Sequence, residues 1–253
     1  MNLDRIIAVR NNKTLYHDGN HSVKVFEHGY SQPEVFREAY IQTLMYSLGL
    51  NVPKVEQVTK INGKNAIVSE FIAGKTLAGI MKDSPDSLCE SVKMIAELQY
   101  RIASEKAPIR QLREYITDSL GAAELSESEL KKLRSALELL PQRDVLLHGE
   151  LTPDNIIISR DGTPYIIDWE YASQGNICYG HAVTCVSLLA EGNERGVKQY
   201  LDIIFDKFLT GSEEIVKWMP LAAASLSAGS FGNRKKFLLE QVRSRISRKG
   251  GII

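Results

Sequence analysis

The chain has 253 residues, of which 43% are hydrophobic and 25% are charged, proportions typical of a soluble globular protein. Basic and acidic residues number 31 each, so no net charge favours nucleic acid or a membrane surface as a partner. No apolar run approaches the roughly 20 residues needed to span a bilayer. The three cysteines lack the spacing of a metal or redox motif, and their odd number predicts reduced thiols in a cytoplasmic protein.

The N-terminal part of the chain predicts a small antiparallel sheet. Residues 5–9, Arg-Ile-Ile-Ala-Val, predict a first strand. Residues 15–17 and 22–26 predict a hairpin that turns at residues 18–19, Asp-Gly. Two further strands are predicted on either side of the Asn-Gly pair at residues 62–63.

Lys24 is unusual because it lies inside an apolar strand, where a lysine is uncommon without a partner. The predicted turn places it opposite Lys13. The next segment predicts a helix that begins at Ser31 and ends before Gly49. Glu38 lies in the middle of this helix, at the edge of its apolar face, from which it can reach Lys24. The alternatives are an exposed strand lysine and a glutamate on a solvated helix face.

From residue 76 onward the apolar residues recur at helical spacing. Residues 112–120 and 127–140 are two of these predicted helices, and Ser126 with Glu129 predicts a capping box for the second. We therefore expect an α+β fold, in which a small N-terminal antiparallel sheet with one helix precedes a larger, mainly helical part.

A second hairpin is predicted around Asp161-Gly162, which separates two apolar runs, Ile156–Ile158 and Tyr165–Ile167. A type I′ turn at this dipeptide would place Asn155 directly opposite Asp168, with Cβ atoms roughly 4.5–5.5 Å apart. An amide oxygen and a carboxylate at that distance form a plausible site for Mg²⁺, which prefers oxygen ligands. The alternative is an ordinary surface hairpin with polar ends.

The stretch that contains this hairpin resembles the aminoglycoside phosphotransferase and choline kinase-like family of the protein-kinase-like superfamily, and most closely a bacterial subgroup. That family carries His-Gly-Asp, then Asn five residues after the Asp, then a hairpin and Ile-Asp-Trp. His148, Asn155 and Asp168 match this pattern, with Gly149, Ile167 and Trp169 beside them. The acidic position departs from it, because Glu150 stands where the family has Asp.

The resemblance implies a bilobal protein-kinase-like fold. Residues 1–73 would form an N-terminal nucleotide-binding lobe, and residues 74–253 a helical C-terminal lobe with a catalytic hairpin at 148–170. The segment between the lobes would be the hinge, where backbone atoms of Glu70 and Ile72 bind the adenine edge.

The resemblance also implies the chemistry. Lys24, fixed by Glu38, would steady the phosphates of ATP, and Asn155 with Asp168 would hold Mg²⁺. Glu150 would accept or orient the proton of the attacking hydroxyl. The expected partner is a small-molecule hydroxyl acceptor, with no nucleic acid and no membrane, and the expected state is a monomer or weak homodimer.

Two functions remain open at this stage. The first is an ATP-dependent small-molecule phosphotransferase. It is favoured because the residues expected to bind the metal and the phosphates are intact. The second is a nucleotide-binding pseudokinase with a regulatory or scaffold role. It is favoured by Glu150 and by Gly180-His181, where the family has an acid that braces the catalytic loop.

Residues 234–249 hold seven Lys or Arg and one Glu, and predict either an anion-binding tail or a solvated helix edge.

Overall fold

The computed structural model describes Leu3, residues 5–10 and residues 12–247. The chain folds into two compact units. Unit 1 is Met1–Ile80 with Asp154–Glu170, and unit 2 is Met81–Pro153 with Tyr171–Ile253. The strands of the 148–170 hairpin therefore fold with the N-terminal sheet, while the lobe boundary at residues 73 and 74 stays a prediction.

The structure confirms the α+β fold class, with strands concentrated in unit 1 and helices in unit 2. The strands are β1 (Arg5–Arg10), β2 (Lys13–Asp18), β3 (His21–Phe26), β4 (Val55–Ile61), β5 (Lys64–Glu70), β6 (Gly74–Thr76), β7 (Val145–Leu147), β8 (Ile156–Ser159), β9 (Pro164–Ile166) and β10 (Ser173–Gly175). The α-helices are α1 (Gln32–Ser47), α2 (Leu77–Asp83), α3 (Leu88–Ala103), α4 (Leu112–Ala122), α5 (Glu127–Leu139), α6 (Ile177–Ala190), α7 (Glu194–Phe208), α8 (Ser212–Ala228) and α9 (Gly232–Ile246).

Unit 1 contains the predicted antiparallel sheet, whose five strands run in the order β1-β2-β3-β5-β4. Alternate residues of a strand point to opposite faces, so the sheet has two apolar sides. One side packs Val23 and Val25 together, and the other packs Phe26 and Ile67 against Val35 of α1. Because α1 covers the side that bears Phe26, Lys24, two positions earlier on the same strand, also faces α1.

The predicted register of the first hairpin is wrong by two residues. Lys13 pairs with Phe26, and the turn lies one residue later than predicted, so that Asp18 pairs with His21. Gly19 has a φ of +60° at the first turn position, as a type II′ turn requires. A shift of two residues preserves the face, so Lys13 and Lys24 still share one side of the sheet.

The start and end of α1 follow the sequence in part. Ser31 is the N-cap residue, but its side chain makes no cap hydrogen bond. Gly49 has a φ of +75°, and Leu50 N–H donates to Met45 O at 3.3 Å. This is the Schellman geometry that a glycine after the last helical turn predicts.

The second hairpin also differs from its prediction. Ile156 pairs with Ile166, so the loop has three residues, 160–162, and Asn155 lies opposite Ile167 rather than Asp168. Gly162 alone has positive φ, +88°. Asp161 keeps negative φ because its carboxylate closes the turn, accepting from Thr163 N–H at 3.0 Å.

Unit 2 is built from helices around a two-stranded ladder of β10 and β7. The predicted helices at 112–120 and 127–140 are α4 and α5, and the capping box between Ser126 and Glu129 is confirmed. The core of the unit includes Tyr179 of α6 and Trp218 of α8, which are fully buried. Within the described part of the chain, no helix has both the length and the hydropathy to cross a membrane.

The basic stretch 234–249 lies largely on α9, and its residues 248 and 249 are outside the described part of the chain. Arg234 pairs with Glu191, Lys235 with Glu124 at 2.6 Å, and Arg243 with Glu129 at 2.9 Å. These pairs are those of a charged helix surface, which supports the second interpretation of the stretch.

We expect Gly162→Ala to lower the free energy of unfolding by about 1–2 kcal/mol, because alanine is strained at positive φ. A Cβ at this position has no atom within 4 Å, so the loss would come from the backbone alone. Urea unfolding measures it, and Gly121→Ala is the control. Gly121 lies in α4 with equal space around it, and alanine there should be neutral or stabilise by up to about 1 kcal/mol. Equal losses in both variants would contradict this account of the turn.

Candidate functional site

Unit 1 encloses a cavity of about 940 Å³, at the upper end of the range for small-molecule sites. Its walls come from the five-stranded sheet, from α1, from the segment after β5 and from residues 154–168. All the site residues predicted within unit 1 line it: Lys24, Glu38, Glu70, Ile72, Asn155 and Asp168.

One end of the cavity is charged. Lys24 on β3 donates a hydrogen bond to Glu38 of α1 and another, of 2.9 Å, to Asp168. The predicted contact between Lys24 and Glu38 is therefore present, and Glu38 is only 2% exposed. A carboxylate so deeply buried is stable only with a partner, which Lys24 provides.

The charged end contains a second lysine to which the sequence assigned no definite role. Lys13 Nζ lies 2.6 Å from Glu170 Oε2 and 3.3 Å from Asp168 Oδ1. Glu170 also accepts a 2.9 Å hydrogen bond from the hydroxyl of Tyr30. We call Lys13, Lys24, Glu38, Asp168 and Glu170 the charge cluster; its formal charges sum to −1, from two lysines and three carboxylates.

Proton affinities in the cluster follow from this pairing. Burial by itself would raise the pKa of the Asp168 carboxyl, but the ammonium groups of Lys24 and Lys13 hold it well below its ordinary value. Burial would lower the pKa of Lys13, but the charges of Asp168, Glu38 and Glu170 raise it above its ordinary value. Asp168 and Lys13 are therefore both charged at neutral pH.

The backbone at Asp168 has a φ of +66°, which is uncommon for a residue other than glycine. The next residue, Trp169, is fully buried and its indole N–H donates to Ile166 O at 3.0 Å. This anchor holds the chain just after the hairpin, where aspartate tolerates the left-handed conformation better than most residues. Asp168 thus lines the cavity together with Asn155, although the two are not paired across the strands.

The cavity also has aliphatic walls. Leu15 and Ile67, the cross-strand neighbours of Lys24, line it from the sheet, and Ile157 and Ile167 line it from the hairpin. Glu70, the last residue of β5, and Ile72 in the segment after it also line the cavity. Aliphatic walls beside the polar backbone of such a segment are suited to a flat, hydrogen-bonding ring.

The oxygens at the charged end are those that a hard cation prefers. Asn155 supplies an amide oxygen and Asp168 a carboxylate. The described residues contain no group of three or more His, Cys, Asp or Glu that could hold a metal. A magnesium ion would therefore need further oxygens from water or from a bound ligand, as is usual for this metal.

Glu150 belongs to unit 2, where it is half-buried on the segment after β7. Its backbone N–H donates to His148 Nδ1 at 3.2 Å. Gly149 has a φ of +89°, and a Cβ there would lie 2.1 Å from the carbonyl oxygen of Tyr171. Burial and the nearby charge of Glu150 raise the pKa of Tyr115 to about 12.

A hydroxyl contacts the Glu150 segment from a position one helical turn after Gly180, where the family pattern has an acid. Thr184 of α6 donates to the carbonyl of Leu151 at 3.0 Å, and it accepts from the amide of Gln99 at 2.9 Å. Gln99 also contacts His181 Nδ1 at 2.8 Å and the hydroxyl of Tyr200. This buried network braces the backbone next to Glu150 without a carboxylate.

The chain matches the model of the Phosphotransferase enzyme family over residues 10–207. No curated protein sequence matches it. Among solved structures it resembles the aminoglycoside-3′-phosphotransferase of type VIII, at 14% identity and a TM-score of 0.69, with 87% of this chain and 93% of that chain covered.

Two further solved structures are similar to the chain. Choline kinase LicA from Streptococcus pneumoniae matches at 21% identity and a TM-score of 0.68, with 96% of this chain and 94% of that chain covered. A thermostable mutant of aminoglycoside phosphotransferase APH(4)-Ia, in ternary complex with ADP and hygromycin B, matches at 14% identity and a TM-score of 0.64, with 94% and 92% covered. These likenesses confirm the predicted kinase-like fold.

The network around His181 makes stability depend on pH. Burial lowers the pKa of His181 to about 3, so the folded protein keeps the ring neutral while the unfolded chain takes up a proton below about pH 6.5. The stabilisation is complete above pH 6.5 and is lost as the pH falls. We expect a loss of about 2 kcal/mol between pH 7 and pH 5 from this residue.

Urea unfolding of the wild type and of His181→Gln at both pH values measures this loss as a difference between the two proteins. His28→Gln, at an exposed histidine, is the control and should keep the pH dependence of the wild type. If His181→Gln also kept it, the neutral buried ring would not be its source.

Proposed function

Because the chain belongs to the phosphotransferase enzyme family, we propose that it transfers the γ-phosphoryl group of ATP to a hydroxyl of a small molecule, with Mg²⁺ as its metal cofactor. The observation that carries the proposal is the cavity of unit 1, which holds the Lys24–Glu38 pair and Asp168 together with aliphatic walls. The solved structures similar to the chain include a choline kinase and aminoglycoside phosphotransferases.

The nucleotide would occupy this cavity along its length. Its base would lie between the aliphatic walls, with its edge bonded to backbone atoms of Glu70 and Ile72. Its phosphates would lie at the charged end, where Lys24 donates to their oxygens and Glu38 keeps the ammonium group in place. The cavity has sufficient volume for a ligand of this size.

Asn155 and Asp168 would hold the magnesium ion through their side-chain oxygens. The ion, when bound, neutralises charge on the transferring phosphoryl group. The low pKa of Asp168 supports this role, because the carboxylate is ionised at neutral pH.

Glu150 would accept, or orient, the proton of the attacking hydroxyl. Glutamate is one methylene longer than the aspartate of the family pattern, and a misplacement near 1 Å can cost on the order of 100-fold in rate. The acid function is retained and the backbone beside it is braced by Thr184. We therefore propose slowed or altered activity rather than none.

The alternative is a nucleotide-binding pseudokinase with a regulatory or scaffold role. The glutamate at position 150 favours it, as does Gly180-His181, where the family has an acid. We also propose that the protein acts in the cytoplasm as a monomer or weak homodimer.

The test of the proposal is phosphate transfer by the purified chain from Mg-ATP to a panel of amino sugars, choline-like alcohols and sugars. We expect transfer to at least one class of acceptor. Asp168→Asn should reduce it by about 100-fold or more, because a preorganised charge at the reacting group is lost. Glu150→Gln should reduce it by about 100- to 10,000-fold, the usual contribution of a general base.

Asp206→Asn removes an exposed carboxylate of α7 and is the matched control, which should keep full activity. If the protein bound Mg-ATP without transfer to any acceptor, and Glu150→Asp did not restore transfer, the pseudokinase function would be favoured over the enzyme. Absence of nucleotide binding in the wild type would reject both.

A further inference from the structure

The charge cluster holds one lysine more than the proposed mechanism uses. Lys13 is 13% exposed, and besides its bonds to Glu170 and Asp168 its ammonium group lies 3.8 Å from Glu38. Taking a lysine out of water is costly unless its charge is matched by hydrogen-bonded carboxylates. Lys24 already contacts both Asp168 and Glu38, so the pairing of these two acids does not explain Lys13.

Both ammonium groups contact the same oxygen. Lys24 donates to Asp168 Oδ1 at 2.9 Å, and Lys13 lies 3.3 Å from that atom. Asp168 is also the carboxylate that would bind the metal. Two ammonium groups and a dication would repel one another around one carboxylate. We therefore expect at least one lysine to leave Asp168 when a metal binds there.

Lys13 is the lysine whose departure the structure favours. Lys24 is fixed by a second bond to Glu38, which is almost fully buried in α1. Lys13 has the longer contact with Asp168, and its stronger bond goes to Glu170, which Tyr30 also holds. Lys13 can therefore leave Asp168 and remain bound to Glu170, with its ammonium group still lining the cavity.

The charges of the cavity agree with this exchange. The charge cluster sums to −1, which weakens the binding of a triphosphate in the absence of a metal. A magnesium ion changes the sum to +1. Both lysines then face the phosphates, because the ion and not the lysines neutralises Asp168. Without Lys13, the charges of the cluster and the ion would sum to zero.

We propose that Lys13 is a second phosphate-binding residue, which holds the Asp168 carboxylate in the place of the metal when no nucleotide is bound and donates to a phosphate oxygen when a nucleoside di- or triphosphate binds. This inference rests on the proposed function. It assigns to Lys13 two roles with opposite consequences, because the residue supports the nucleotide and competes with the metal.

Calorimetric titration of the full chain with ADP in EDTA, and separately with Mn²⁺ alone, tests both roles without turnover. In Lys13→Met we expect the affinity for metal-free ADP to fall about 10- to 100-fold, as for the loss of a hydrogen bond between charged groups. We expect the affinity for Mn²⁺ to rise several-fold, since its competitor at Asp168 is gone.

Lys13→Gln is the second variant, because glutamine keeps a donor for Glu170 and removes only the charge. It should show the same pair of opposite changes even if Lys13→Met folds poorly. Lys60→Met removes an exposed lysine of β4 outside the cavity and should change neither affinity.

Loss of both affinities in Lys13→Gln would make Lys13 a purely structural residue and overturn the inference, as would unchanged binding of metal-free ADP. A wild type that binds no nucleotide, with or without Mg²⁺, would instead reject the proposed function.

Discussion

The hydrogen bond from Lys24 to Asp168 is the interaction on which the site depends. It joins a lysine of the N-terminal sheet to an aspartate that follows it by 144 positions in the chain. The contact requires α1 to hold Glu38 behind the lysine and requires Trp169 to anchor the chain after the aspartate. Sheet, helix and hairpin of unit 1 thus meet at one carboxylate.

The contact between Lys24 and Glu38 could be predicted because each residue is unusual where it stands. A lysine inside an apolar strand and a glutamate at the edge of an apolar helix face both need partners. The registers could not be predicted, because they depend on which residue of a turn takes positive φ. At the second hairpin Asp161 closes the loop with its side chain, and Gly162 alone takes that conformation. Local composition does not distinguish this loop from a two-residue turn.

The residues that the sequence left without a definite role have ordinary local surroundings. Lys13 begins a strand beside a polar loop, and Glu170 follows a tryptophan in a segment that resembles a solvated turn. Their contact spans 157 positions, so no periodicity or spacing signals it. Thr184 was missed for a different reason. The family pattern directs attention to an acid near Gly180, whereas here the bracing contact is made by a hydroxyl one helical turn later.

The charge cluster also bears on the energetics of binding. In the free protein Asp168 is stabilised by two ammonium groups, and the strained backbone at this residue is maintained by those contacts and by the anchor of Trp169. On the proposed exchange, a metal that binds Asp168 displaces one of them, so part of its binding free energy is spent on breaking an existing ion pair. The phosphates compensate for this cost, because they offer the displaced ammonium group a new anionic partner. Metal and nucleotide should therefore bind more favourably together than the sum of their separate affinities, which is positive coupling between two ligands at one site.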